Sequence, residues 1–248
     1  MKLFFDTEFT GLHKNTTLIS IGIVSEDGRT FYCELNDYNE SQVNDWILEN
    51  VIAKLKFKRP AKDADEPFAA IRHESNPVPN NLYNGYSIEF RGNMDDLRNE
   101  LKRWLSQFKE TCYFWSDCLA YDWVLFCNIF FDSLPFDVYY IPFDICTLFE
   151  VAGIDPDISR ERFAGVENGA MKHNALFDAK IIMECYIRLT HFVRYGGWIN
   201  GKTKIDSLLS GKIDGSAVYK GEIHLNAQTV EYDLNHIKIV KRHRKVMR

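Results

Sequence analysis

Short apolar runs bounded by polar residues fill the first 36 positions, which is typical of buried β-strands. Residues 2–9 and 17–25 are rich in Phe and Ile, and residues 29–36 form a third run. Asp27-Gly28 separates the second run from the third and is a strong hairpin signal. The chain is therefore predicted to open with a three-stranded antiparallel meander.

A helical period follows the meander. Val43, Trp46, Ile47 and Val51 are spaced as one face of a helix, so we predict a helix here with Ser41 as its N-cap.

Residues 56–93 then lose every period and contain four of the seven prolines, so we predict a long loop or insertion there.

Strand and helix patterns alternate after residue 93. Apolar positions predict a helix; its members are Leu97, Leu101, Trp104, Leu105 and Phe108. Strands are predicted over 111–116 and 138–143, and helices over 120–131, 144–152 and 173–194. This order predicts an α/β fold, a mixed sheet with the antiparallel meander plus parallel strands, flanked by helices on both faces.

The last 48 residues differ from the rest. Residues 221–226, 229–234 and 236–241 alternate weakly, as in a small β-meander, but the stretch is too short to bury a core alone. We therefore expect a main domain over 1–200 and an appendage over 201–248.

Charge is unevenly distributed. The whole chain carries −5, but residues 238–248 hold six Lys or Arg and no acid, which leaves the preceding residues at −11. The acidic body argues against a protein that coats nucleic acid by bulk positive charge. The basic tail either contacts a polyanion, our expectation being RNA, or only aids solubility.

Features of targeting are missing from the sequence. Asp6 and Glu8 interrupt the apolar start too early for a signal peptide, and no apolar run approaches the roughly 18 residues that span a bilayer. No CxxC pair occurs among the six cysteines, which argues against a zinc ribbon. We expect a cytoplasmic protein without membrane contact; its oligomeric state cannot be predicted.

Asp6 and Glu8 end the first strand, and a period of two places both carboxylates on one face. Two carboxylates about 5 Å apart repel by roughly 3 kcal/mol at an effective dielectric constant near 20, so the pair needs a cation or a proton unless it is a solvated strand end. Oxygen ligands of this kind favour Mg²⁺ or Mn²⁺.

Further candidates lie in two later segments. His173 lies at the predicted entrance of the long helix, where a capping or surface histidine is the alternative, and Asp178 lies one turn inside on an apolar face. Asp122 shares a helical face with Phe126, and Asp117 competes with it for the same role.

These segments, in this order, resemble the motifs of the DEDD exonuclease superfamily in its histidine-containing DEDDh form. They are DTEFTGL followed by ISIGIV, then AYDW, then HNALFDA. Over about residues 1–195, the chain resembles most a small 3′–5′ exoribonuclease group known from mycobacteria and related to RNase T. The resemblance implies an RNase H-like fold, which matches the predicted strand order. The 56–93 segment and the appendage depart from the pattern, and the second motif lacks the Asn that several relatives place before its Asp.

The resemblance also implies a mechanism. Two Mg²⁺ or Mn²⁺ ions, about 3.5–4 Å apart, would be held by four acids: Asp6, Glu8, Asp122 and Asp178. His173 would act as the general base, and hydrolysis of the last phosphodiester would release nucleoside 5′-monophosphates. The expected substrate-binding residues are Thr7, Phe9, Leu12 and Tyr121; a core position is the alternative for Phe9 and Leu12.

The expected partner is nucleic acid with a free 3′ end, with RNA favoured. The same chemistry on single-stranded or 3′-overhang DNA is the nearest alternative, because discrimination requires a contact with the 2′-hydroxyl that no motif reveals. A catalytically inactive nucleic-acid-binding module and a structural protein are weaker alternatives, since all four acids and the histidine are present.

Overall fold

The computed structural model describes residues 1–57, 69–74, 85–131, 133–166, 171–194, 222–225, 228–233 and 236–242. The chain divides into two compact units. The first contains Met1–Ile145 and Glu167–Glu184, and the second contains Cys146–Val166 and Cys185–Arg248.

The first unit contains a mixed sheet of seven strands. The strands are β1 (Lys2–Phe9), β2 (Leu18–Ser25), β3 (Thr30–Leu35), β4 (Ala69–Glu74), β5 (Tyr86–Gly92), β6 (Tyr113–Ser116) and β7 (Phe143–Asp144). Their order is β4-β5-β3-β2-β1-β6-β7. β1, β2 and β3 pair antiparallel, whereas β6 runs parallel to β1 and β7. The predicted meander joined to parallel strands is confirmed, and the order β3-β2-β1-β6-β7 is RNase H-like.

Helices cover both faces of this sheet, as predicted. The α-helices in the described part of the chain are α1 (Asp45–Asn50), α2 (Met94–Leu105), α3 (Leu119–Ile129), α4 (Ile145–Val151), α5 (Arg160–Phe163) and α6 (Ala175–Arg194). Phe126 of α3 packs on Phe5, and Trp104 of α2 packs on Phe31. Phe5 and Phe31 both lie beside Ile23, so α2 and α3 share one face. The first turn of α6 packs against Tyr32 on the opposite face.

Gly22 allows α6 to approach the sheet closely. A Cβ at this position would lie 2.2 Å from the backbone nitrogen of Leu176, so only glycine fits without movement of the helix. Gly22 is also the register partner of Asp6 on β1. The close approach therefore brings the start of α6 over the strand that carries the first motif.

The second unit contains most of α4, α5, the end of α6 and a separate sheet. Phe149 and Phe163 pack edge to face, with ring centroids 4.9 Å apart. Where the sequence predicts a small β-meander, β8 (Glu222–Leu225), β9 (Gln228–Asp233) and β10 (His236–Arg242) pair antiparallel. The predicted boundary at residue 200 and the last six residues of the basic tail lie outside the described residues. The boundary and the RNA contact of the tail stay predictions.

The predicted loop over 56–93 is wrong at β4 and β5, which pair with each other at the edge of the main sheet. β5 buries Ile88 and Phe90 at alternate positions, but the prolines before it obscure this period of two. Residues 58–68 and 75–84 of this segment lie outside the described part.

Two other local predictions are wrong. The strand over 138–143 reduces to the two residues of β7 and an isolated bridge between Val138 and Cys112, because Pro142 cannot donate to a strand ladder. The N-cap of α1 is Asn44, whose side chain accepts a hydrogen bond from the Ile47 nitrogen, and not Ser41.

Among the described residues, no helix is long and apolar enough to cross a membrane.

Candidate active site

The end of β1 presents two acids on the face that α6 covers. Asp6 and Glu8 lie beside Gly22 and Ser20 of β2 and are 9% and 8% exposed. As the sequence predicts, they alternate with Thr7, which points to the other face. The two carboxyls therefore lie close together at a nearly buried strand end.

Asp122 reaches the same strand end from the first turn of α3 and is completely buried. Its carboxylate accepts hydrogen bonds from the hydroxyl of Thr7, at 2.5 Å, and from the hydroxyl of Ser116 at the end of β6. The Thr7 side chain thus supports Asp122; its predicted contact with substrate stays a prediction.

His173 and Asp178 lie at the start of α6. The helix begins at Ala175, after Asn174, whose side chain caps it by accepting a hydrogen bond from the Phe177 nitrogen. His173 precedes the cap in the left-handed region, with φ +66°. Its backbone nitrogen donates to the Asp178 carboxylate at 2.8 Å, and its Nδ1 lies 3.9 Å from Glu8 Oε1.

All five predicted catalytic residues meet in two neighbouring groups of possible metal ligands. Glu8, His173 and Asp178 form one group, and Asp6, Asp117 and Asp122 form the other. Within each group, one ligand atom per residue lies within 4.8 Å of the others. Asp117, the competitor of Asp122 in the sequence, therefore joins it.

Burial and mutual repulsion raise the pKa of the carboxyls at this strand end. For Asp6, burial first and then the charges of Asp122 and Glu8 raise the pKa well above its ordinary value. Burial and the charge of Asp178 raise the pKa of Glu8 to about 8. Burial raises the pKa of Asp122 to about 7, although the hydroxyls of Ser116 and Thr7 lower it. Closely spaced oxygen donors that are costly to ionise together fit a hard divalent cation such as Mg²⁺ or Mn²⁺.

The other predicted substrate-binding side chains, Phe9, Tyr121 and Leu12, differ in their surroundings. The rings of Phe9 and Tyr121 stack with centroids 5.2 Å apart, and Phe9 also packs against the core. Leu12 is 73% exposed, so a core position is wrong for this residue.

Trp46 contacts the predicted catalytic residue His173, which the sequence pattern does not indicate. The period of α1 places it on the buried face, but its side chain is 54% exposed and its ring lies edge to face with that of His173, at 5.1 Å between centroids. The exposure of Trp46 follows from the length of α1. A helix of six residues has fewer than two turns and buries only one or two side chains.

Two curated proteins and one solved structure are similar to parts of this chain. Two curated Mycobacterium tuberculosis proteins, the 3′-5′ exoribonuclease Rv2179c of strain ATCC 25618 / H37Rv and the 3′-5′ exoribonuclease MT2234.1 of strain CDC 1551 / Oshkosh, are each 38% identical over 55 residues. The match covers 22% of this chain and 33% of each relative, so the chain spans about a third of the length of these proteins. Among solved structures, the Pan2 catalytic unit of Neurospora crassa, with protease and nuclease domains, matches 86% of this chain and 30% of its own, at TM-score 0.44 and 15% identity.

The family model described as the 3′-5′ exoribonuclease Rv2179c-like domain matches residues 1–188, a range that contains all five predicted catalytic residues. The chain belongs to the Rv2179c-like 3′-5′ exoribonuclease domain family.

Proposed function

We propose that this chain is a metal-dependent 3′–5′ exoribonuclease that removes nucleotides one at a time as 5′-monophosphates. The observation that carries the proposal is the convergence of four acids and one histidine at one end of the sheet, in a chain of this family; they are Asp6, Glu8, Asp122, Asp178 and His173.

The four acids would hold two Mg²⁺ or Mn²⁺ ions, with Asp117 close enough to contribute. When bound, such ions supply positive charge that favours deprotonation of the attacking water and stabilises the charge that develops on the leaving 3′ oxygen. The net negative charge of the protein is then compatible with a polyanionic substrate.

His173 would remove the proton from the attacking water. The new bond forms between the water oxygen and the terminal phosphorus, and the bond from phosphorus to the 3′ oxygen breaks. The imidazole is suited to this role because it lies next to Glu8 and remains partly accessible, with 30% of its side chain exposed. The hydrogen bond from its backbone to Asp178 fixes the position of the histidine relative to the acids.

Apolar side chains around the acids would hold the terminal bases. Leu12 and Trp46 are exposed, and the stacked pair of Phe9 and Tyr121 lies at the end of β1. Stacking on aromatic rings accepts any base and suits an unpaired 3′ end.

Parallel digestion of RNA and DNA of one sequence, each labelled at the 3′ end, tests the substrate. We expect release of labelled mononucleotide from RNA in Mg²⁺ or Mn²⁺ and none in EDTA. Faster digestion of DNA would replace the proposal by an exodeoxyribonuclease. Binding of both strands without cleavage under every condition would favour an inactive binding module.

A further inference from the structure

A chain of buried hydrogen bonds connects the sheet to the residue after His173. Glu34, Tyr32 and Asn174 are 0%, 1% and 7% exposed. The Tyr32 hydroxyl donates to Glu34 at 2.7 Å and accepts from the Asn174 side-chain amide at 3.2 Å. The mechanism proposed above uses none of these three residues.

The same three residues also bind the segment that follows α1. The Asn174 amide donates to the backbone oxygen of Lys54 at 3.2 Å, and the Glu34 carboxylate accepts from the backbone nitrogens of Lys56 and Phe57. A buried carboxyl is costly without hydrogen bonds, and here three donors satisfy it. The segment after α1 and the start of α6 are thus held to one point on the sheet.

This attachment helps to constrain the unusual backbone conformation of His173. A φ of +66° is uncommon for a residue other than glycine and persists only when its surroundings determine it. Asn174 supplies such a constraint on one side, and the hydrogen bond from the His173 nitrogen to Asp178 supplies another. Trp46, on α1, contacts the imidazole ring from the side.

We propose that Tyr32 and Asn174 are positioning residues, whose hydrogen bond, anchored by Glu34, holds the imidazole of His173 against Glu8 and Trp46. This inference rests on the proposed function, because it assigns His173 the role of base. By this inference, Tyr32 and Asn174 influence the turnover rate although neither touches the substrate.

Two substitutions remove this bond from opposite sides. Tyr32→Phe deletes the hydroxyl and keeps the ring. Asn174→Ser deletes the amide donors, but a serine still caps the helix, so the loss is separated from the capping role. Each variant should lower kcat about 10-fold, since small displacements of a catalytic group cost this much or more, while KM and Mn²⁺ affinity measured by calorimetry stay within about twofold of wild type.

The double variant distinguishes positioning from general destabilisation. Both substitutions remove the bond between Tyr32 and Asn174, and each also removes one other bond, to Glu34 or to the backbone oxygen of Lys54. Tyr32→Phe with Asn174→Ser should therefore lower kcat by clearly less than the product of the two single effects, whereas independent effects would multiply. Ser25→Ala is the matched control, since it removes another buried hydroxyl of the same sheet, from the other end of β2, where it bonds Asp27 and Arg29. All kcat values are measured at least about 10 °C below the Tm of each variant.

An NMR measurement makes the test independent of activity. The edge contact with Trp46 shifts the His173 ring protons, and Trp46→Ala gives the resonance without this contact. We expect Tyr32→Phe to move the resonance towards that value and Ser25→Ala to leave it unchanged. If wild type digests RNA but Tyr32→Phe retains wild-type kcat, or if the resonance does not move, the positioning role is wrong. If the resonance moves but wild type digests no nucleic acid, the proposed function fails and the positioning of His173 stands.

Discussion

Replacing Glu8 by Gln tests the electrostatics of the site most sharply, because it removes one titratable carboxyl and keeps the side-chain size. Burial and the charge of Asp178 raise the pKa of Glu8 from 4.5 to about 8. Between about pH 4.5 and pH 8, the metal-free folded protein therefore keeps a proton on Glu8 that the unfolded chain has released. The stability that this proton contributes is fully present below about pH 4.5 and is lost as the pH rises through about 8.

The size of the effect follows from the pKa shift. Each pKa unit corresponds to about 1.4 kcal/mol, and neighbouring acids share the proton, so we expect a loss of roughly 2–4 kcal/mol for wild type between pH 5 and pH 9. In a chain of this length, about 1 kcal/mol moves the Tm by roughly 2–4 °C. Glu8→Gln should therefore raise the Tm by roughly 5–10 °C at pH 8.5, and by about 2 °C or less at pH 5.

Thermal unfolding followed by circular dichroism in EDTA, at pH 5, 7 and 8.5, measures this difference. Glu49→Gln, at an exposed position of α1, is the control for loss of one acid and should follow wild type at each pH. Mn²⁺ added at pH 8.5 should raise the Tm of wild type more than that of Glu8→Gln, because the metal replaces the proton. A Tm difference that is the same at pH 5 and pH 8.5 would refute the reasoning.

Three further substitutions, one of them with a control variant, test separate parts of the structure. His173→Ala should lower kcat by about 10²–10⁴-fold and leave Mn²⁺ affinity in calorimetry near wild type; near-wild-type turnover would remove its role as base. Gly22→Ala should lower the Tm by several degrees, because its Cβ would lie 2.2 Å from a backbone nitrogen of α6. The control is Ser20→Ala on the same strand, which deletes a buried hydroxyl. This hydroxyl has no hydrogen-bond partner among the described residues, so the substitution should not lower the Tm. Ser116→Ala should weaken Mn²⁺ binding several-fold, because Asp122 loses a hydrogen bond that favours its charged form; unchanged affinity in calorimetry would contradict this.

Local patterns were sufficient to predict the centre of the fold and the first acids. The Phe-rich and Ile-rich runs and the Asp27-Gly28 turn lie within the first 36 residues, and a period of two places Asp6 and Glu8 on one face without knowledge of distant contacts. Asp122 and Asp178 are predictable for a similar reason, since each interrupts the apolar face of a helix.

The supports of the site depend on contacts that are distant in sequence. Asn174 meets Tyr32 across 142 residues, and Thr7 meets Asp122 across 115. No period along the chain encodes such pairs, and the left-handed backbone of His173 has no sequence signal of its own. The spacing of Trp46 fits one apolar face of a helix, but α1 has only six residues and buries Ile47 alone.

Digestion of a 5′-labelled single-stranded RNA tests the central claim most directly, with wild type and Asp6→Asn compared in Mn²⁺ and mass spectrometry of the released products. We predict that wild type shortens the RNA from the 3′ end in single-nucleotide steps and releases nucleoside 5′-monophosphates, and that Asp6→Asn or EDTA stops this release. Internal cuts before end-shortening, 3′-monophosphate products, or full activity of Asp6→Asn would contradict the assignment of this carboxylate cluster as a metal-dependent 3′–5′ exonuclease site.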